Sequence, residues 1–204
     1  MVQHQHRIRL GSLAALVIAA FFARASWAED FGSISGEVTS KPAKLRSGVV
    51  VHLEKVSGPF RPPAQPVVMD QRGMKFIPRM LPILRGTTVN FLNSDSVRHN
   101  VFTPDGDKYN LGTWPTGESK PMVFAKSGVY RQLCNVHPEM EAFIVVLDNP
   151  YFAVTDEAGK FHLEGVPPGS YTLTTYSDKL APGSVQVTVT AGQATAAKLG
   201  LAKP

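Results

Sequence analysis

From Glu29 onward, apolar and polar positions alternate with a period of two, and no stretch carries a helical period. Ile34, Gly36 and Val38 alternate with small and polar residues, and Val49, Val51 and Leu53 alternate with Val50, His52 and Glu54. Similar short runs recur at Thr88–Leu92, Met122–Phe124, Val129–Leu133, Ala142–Leu147, Phe161–Leu163, Tyr171–Thr175 and Val185–Val189. They are rich in β-branched and aromatic types, which suit a pleated, half-buried surface. Turn formers separate them: Arg85-Gly86, Ser127-Gly128, Asp156-Glu157-Ala158-Gly159 and Pro167-Pro168-Gly169. Short strands at such spacing predict an all-β sandwich architecture.

Two breaks divide this pattern. Gly58 to Pro66 carries four prolines and cannot be a central strand, because each proline removes a ladder donor. Asp148-Asn149-Pro150 is the second break. Residues 151–176 read as strand, tight turn, strand, Pro-Pro-Gly turn, strand. With Asp156, Gly159 and Phe161, then Pro167, Pro168, Gly169 and Tyr171, this segment resembles the carboxypeptidase regulatory-like β-sandwich. The opening strands of that family have counterparts far upstream, at Ser35–Thr39 and Val49–Leu53. The expectation is one discontinuous sandwich, 29–62 plus 149–204, interrupted by a complete domain at 63–148; three consecutive β units are the alternative. Termini of small domains often lie close together, which makes such insertions inexpensive.

Composition alters this picture in two ways. One cysteine in 204 residues excludes an internal disulfide framework, Cys-rich zinc modules and iron–sulfur clusters. The net charge of +5 is partly a property of residues 1–28, which hold Arg7, Arg9 and Arg24 and no acid. Two of those arginines precede the 13-residue apolar run Leu10–Phe22, and Ser26-Trp27-Ala28 follows. This is the order of a secretory signal peptide, and the run is short of the roughly 20 residues that span a bilayer. An uncleaved anchor is the alternative. Removing the leader leaves 18 basic and 16 acidic residues, with no Lys/Arg run to suggest nucleic acid. The mature protein is expected to be periplasmic or secreted, free of membrane, and not a nucleic-acid binder.

Candidate chemistry concentrates in Cys134-Asn135-Val136-His137-Pro138-Glu139-Met140, a C-x2-H-x2-M loop between two predicted strands. His99 lies upstream, at the end of another strand-like stretch. A thiolate, two imidazoles and a weak thioether suit copper, and zinc takes methionine less readily. An exported free thiol is exposed to oxidation unless it is buried or metal-bound. His52 and His162 sit on strand faces opposite their apolar neighbours and are expected to be solvated.

Residues 66–148 resemble a cupredoxin of the plastocyanin–amicyanin kind. Gly86-Thr87-Thr88-Val89-Asn90-Phe91-Leu92-Asn93 is similar to the family's G-x-x-V-x-F-x-N strand, and His99-Asn100-Val101 matches its H-N-V. The resemblance implies one type 1 copper held by His99, Cys134, His137 and Met140. It implies that Asn100 braces the Cys-side loop and that Asn135 places a backbone N–H near the sulfur. Val136 departs from the commoner C-x-P-H, and Glu139 stands beside the site. The pairing with a regulatory-like sandwich also resembles methylamine-utilisation-type proteins.

A complete four-donor set leaves no position for substrate, so single-electron transfer is expected rather than enzymatic activity. The exit edge is His137 with Pro138, and Phe102, Trp114 and Pro115 belong either to this rim or to the core. The partner is expected to be a redox protein met transiently over a small area. The alternatives are a copper carrier or store, and a β-sandwich binding module, docking a protein or glycan, in which the metal is secondary. A multicopper oxidase needs more histidines than the four beyond the leader. A Cys134–His137 nucleophile lacks an orienting third group and leaves Met140 unexplained.

Overall fold

The computed structural model describes residues 31–204, so the leader expected at 1–28 lies outside the described residues. The chain enters through β1 (Gly32–Ser40) and β2 (Val50–Leu53), separated by a single 3-10 turn at Ala43–Arg46. Next come β3 (Val67–Gln71), β4 (Phe76–Ile77), β5 (Met80–Leu84), β6 (Thr88–Asn93), β7 (His99–Thr103), β8 (Tyr109–Trp114), β9 (Ser119–Val123), β10 (Gly128–Leu133) and β11 (Glu141–Leu147). It closes with β12 (Phe152–Val154), β13 (Lys160–Val166), β14 (Gly169–Tyr176), β15 (Ser184–Val189) and β16 (Ala194–Leu201). The architecture is all-β, and among the described residues no helix is long and apolar enough to cross a membrane.

The first two strands pair with the last five. One sheet has the order β13-β1-β16 and a second β12-β2-β14-β15. Their inward residues, among them Ile34, Val38, Val51, Leu53, Leu163, Leu173 and Leu199, form one buried cluster. The middle strands form a second sandwich from β5-β11-β10-β7-β8 and β4-β3-β6-β9. Its cluster holds Phe91, Trp114, Phe124, Ile144, Cys134 and Met140. Pro82 lies in β5 and Pro121 in β9, both edge strands, where the missing donor disrupts no ladder.

The chain leaves the outer sandwich after Leu53 and returns at Tyr151, and the two crossings touch. Leu53 N–H donates to the Tyr151 carbonyl at 3.0 Å, and Asn149 Nδ2 donates to the Leu53 carbonyl at 2.8 Å. Phe60, in the proline-rich segment, meets Tyr151 edge to face at 5.7 Å. Residues 54–66 form no strand.

The sandwiches are stacked sheet on sheet. Val50, Met80, Phe143 and Val145 are buried together, with Val129, Leu147 and Tyr176 packed around them. This explains why β11 and β2 read as near-continuous apolar runs: each is covered on both faces. Ala142, Ile144 and Val146 face the inner core, while Phe143 and Val145 face the neighbouring sandwich.

The same stacking corrects the expectation for His52. Its strand face is covered by the inserted sandwich, so the ring is half-buried in the crevice between the two, beside Val129, Val145 and Tyr176. Burial pushes its pKa below the ordinary 6.5, against the smaller opposing pulls of Leu53 and Glu54. The unfolded chain therefore takes this proton at a higher pH than the folded one. The stability that His52 contributes is full above its unfolded pKa and is lost as pH falls through the folded value. Denaturant titrations between about pH 7 and 5 are expected to show this slope, and His52→Gln to flatten it. An unchanged slope in the variant would exclude His52 as its source.

Candidate metal centre

Four stretches of chain meet at one end of the inserted sandwich. His99 opens β7, where the ladder sets it opposite Trp114 of β8. Cys134 follows β10 directly, and β10 pairs with β7 through Leu133 and Phe102. The hairpin pair Leu133–Glu141 then closes a loop that carries Cys134, His137 and Met140. The Met140 N–H donates to the His137 carbonyl at 3.0 Å and tightens that loop.

One donor atom each from His99, Cys134 and His137 lies within 4.8 Å of the others. The two Nδ1 atoms are 3.1 Å apart, and Cys134 Sγ is 4.0 Å from His99 Nδ1. The rings meet edge to face with centroids 4.8 Å apart. His99 is wholly buried and Cys134 nearly so, whereas His137 is half-exposed. Met140 is buried in the same core cluster as Cys134. The 3.1 and 4.0 Å separations can be bridged by one ion with bonds of about 2.0–2.3 Å, the range for imidazole nitrogen and thiolate. The residues present thus fit a soft metal with mixed nitrogen and sulfur preference.

Buried polar groups hold this arrangement. Asn93 donates to the carbonyls of Val97 and Trp114 at 2.8 and 3.1 Å and accepts from the Asp95 N–H, locking the β6–β7 turn. The Asp95 carboxylate accepts from Gly73 N at 2.6 Å and Met74 N at 2.9 Å, and it lies 2.7 Å from His99 Nε2. Gly73 and Met74 both have positive φ, the backbone of a two-residue hairpin turn that aims successive amides at one acceptor. With Nε2–H directed at the carboxylate, the His99 lone pair falls on Nδ1, the atom facing Cys134. Burial raises the Asp95 pKa, but the Met74 and Gly73 amides and the His99 ring outweigh it and hold the group below its ordinary value. The sequence motif included Asn93 without a role, and Asp95 was missed. The available signal was an acid four positions before His99 in a turn.

Asn100 ties the two ligand segments together. Its side chain donates to Asn110 Oδ1 and the Gly112 carbonyl at 2.8 and 2.9 Å and accepts from Asn135 N at 3.3 Å. Its own N–H points at Cys134 Sγ, 3.5 Å away. The Asn135 N–H thus donates to the Asn100 side chain, while the Asn100 N–H reaches the sulfur. His99 also begins its strand rather than ending one. Around His137, Val136, Pro138 and Glu139 are exposed, and Phe102 and Pro115 are half-buried. Trp114 belongs to the core, not the rim. His162 is exposed on the outer sandwich, bonded to Ser35 and Glu164 and remote from this cluster in the fold.

Comparison with known proteins gives two kinds of match. Residues 140–202 match the carboxypeptidase regulatory-like domain. The chain is 24% identical over 139 residues to amicyanin of Paracoccus versutus, covering 66% of this chain and 92% of amicyanin. Among solved structures it is similar to the copper-containing nitrite reductase of Thermus scotoductus SA-01, with 28% identity over 46% of this chain and 25% of that one, at a TM-score of 0.41. It is also similar to a purple cupredoxin of Nitrosopumilus maritimus, with 28% identity over 40% of this chain and 99% of that one, at a TM-score of 0.37. The chain spans about a quarter of the nitrite reductase. The amicyanin relation and the regulatory-like match agree with the motifs. The chain is thus similar to amicyanin over about two thirds of its length and to the regulatory-like domain over residues 140–202, on an all-β fold of two sandwiches.

Asp95→Ala leaves the His99 ring and two turn amides without their acceptor. Chemical denaturation is expected to show a loss of about 1–3 kcal/mol, the usual penalty for stranding a buried polar group. Wild-type stability in this variant would show that the carboxylate does not anchor the histidine.

Proposed function

We propose that His99, Cys134, His137 and Met140 hold one type 1 copper ion, and that the protein carries single electrons between redox partners in the periplasm or outside the cell. The observation that carries this reading is the convergence of two imidazole Nδ1 atoms and one thiol, 3.1 and 4.0 Å apart, from separate segments of one sandwich. The relation to amicyanin over nearly all of that protein's length supports it. Copper bound there would supply a one-electron couple between its cuprous and cupric states.

The chain's own residues account for the rest. Asp95 and Asn100 hold the His99 ring and the cysteine loop through hydrogen bonds of their own, so little would need to rearrange when charge changes. The Asn100 N–H offsets negative charge on the sulfur. The core around Cys134 and Met140 excludes water. His137, half-exposed and flanked by exposed Val136 and Pro138, offers the route to a partner through an apolar rim. Contact of this kind is small and brief, below about 1,200 Å² in total. The near-balanced charge beyond the leader gives no strong steering toward partners of either sign.

We also assign residues 1–28 to a signal peptide, 29–62 and 149–204 to the regulatory-like sandwich, and 63–148 to the cupredoxin. The adjacent crossings at Leu53 and Tyr151 support an insertion. The outer sandwich is a candidate for docking a further protein or glycan.

Adding Cu(II) to purified protein is expected to give an intense sulfur-to-copper colour, and Cys134→Ser to abolish it while β-sheet circular dichroism survives. Colour retained in that variant would refute the assignment. Met140→Leu is expected to keep copper and move the reduction potential, as removal of a weak fourth donor would. Release of copper by Met140→Leu would contradict the role of a weak fourth donor, and ready loss of Cu(I) from the wild type to a chelator would favour a copper carrier.

A further inference from the structure

The loop that carries three of the candidate ligands has its stem at Glu141, which pairs with Leu133 and directly follows Met140. The Glu141 side chain is gripped by Arg79, just ahead of β5. A single Arg79 nitrogen, Nη2, donates to Glu141 Oε2 at 3.0 Å and to Asp178 Oδ2 at 2.7 Å. Asp178 belongs to the other sandwich, in the segment after β14. The bridge therefore links the regulatory-like sandwich to the base of the ligand loop.

Three further contacts give this bridge a defined position. The guanidinium lies over the Phe143 ring, 5.2 Å from its centroid, and the Arg79 carbonyl accepts the Phe143 N–H at 2.9 Å. Phe143 meets Tyr176, two residues before Asp178, with centroids 6.3 Å apart. Both rings belong to the apolar layer between the sandwiches. The Asp178 side chain is 13% exposed, against 43% for Arg79 and 35% for Glu141. Ion pairs this open to water each contribute only a fraction of what a buried pair does. That is small for the stability of the fold, but it acts at one point, beside Met140. Adhesion between the sandwiches comes from the apolar layer, and the bridge sets the position of the stem.

We propose that the regulatory-like sandwich braces the metal loop, with Asp178 and Arg79 acting through Glu141 as positioning residues for Met140 and its neighbours. This inference rests on the copper reading above. It gives the outer sandwich a role at the redox site without any contact with the ligands themselves.

The test uses the full copper-loaded chain and compares wild type with Asp178→Asn, Asp178→Glu and Glu37→Gln. The last removes a surface pair with Lys160 on the outer sheet that does not face the inserted sandwich. Cu(I) extraction by a chelator, reduction potential and electron paramagnetic resonance are measured, with thermal melting as the control for folding. Asp178→Asn is expected to speed extraction roughly two- to fivefold, the factor for losing one such pair, and to shift the potential. Asp178→Glu should restore both, and Glu37→Gln should change neither. A folded Asp178→Asn variant with wild-type extraction and potential would overturn the brace, as would the same change in Glu37→Gln. If Asp178→Asn does not fold, Glu141→Gln at the other end of the bridge carries the same expectation. A wild type that takes up no coloured copper would overturn the copper reading itself, and that result is seen before any variant is made.

Discussion

The register of β10 against β11 is the constraint on which the site depends. Leu133 opposite Glu141 fixes where the strands stop and the ligand loop begins. Side chains alternate across a strand, so a slip of one residue would exchange the inward and outward sets. Here both sets are specified. Ala142, Ile144 and Val146 must face the inserted core, and Phe143 and Val145 must face the neighbouring sandwich. A strand buried on both faces has no indifferent register, and the loop it anchors inherits that definition.

Polar groups then complete what packing begins. Asn93, Asp95 and Asn100 are placed at the sandwich end that carries the donors, and each joins segments distant in sequence or closes a turn. The result is a donor set held by groups whose own hydrogen bonds are already made. For a group that alternates between two charge states, such a frame limits rearrangement. His99 and Cys134 are buried while His137 is half-exposed, an asymmetry that under the proposed function would separate holding an ion from meeting a partner.

Much of this was legible in the sequence, for identifiable reasons. β6, β10, β14 and β15 are rich in β-branched or aromatic residues, β11 is a near-continuous apolar run, and the expected runs fall on all five. β3, β4, β5, β8 and β16 escaped notice, β4 being only two residues long. β3 ends in buried Asp70 and Gln71, β5 contains Pro82, β8 contains Gly112, and β16 hides its alternation among alanines and a glycine. The grouping of His99, Cys134 and His137 was readable because thiol and imidazole at that spacing have few other joint uses. Asp95 was not, since its role depends on the Gly73-Met74 turn brought in from another strand pair. His52 was misjudged for a related reason: one sheet's alternation does not reveal that a second sandwich covers its outer face.

X-ray absorption at the copper edge of the Cu(II)-loaded protein tests the central claim most directly. One short copper–sulfur bond with two imidazole nitrogens, at one copper per chain, is the predicted result. A shell of nitrogen and oxygen alone would contradict the account.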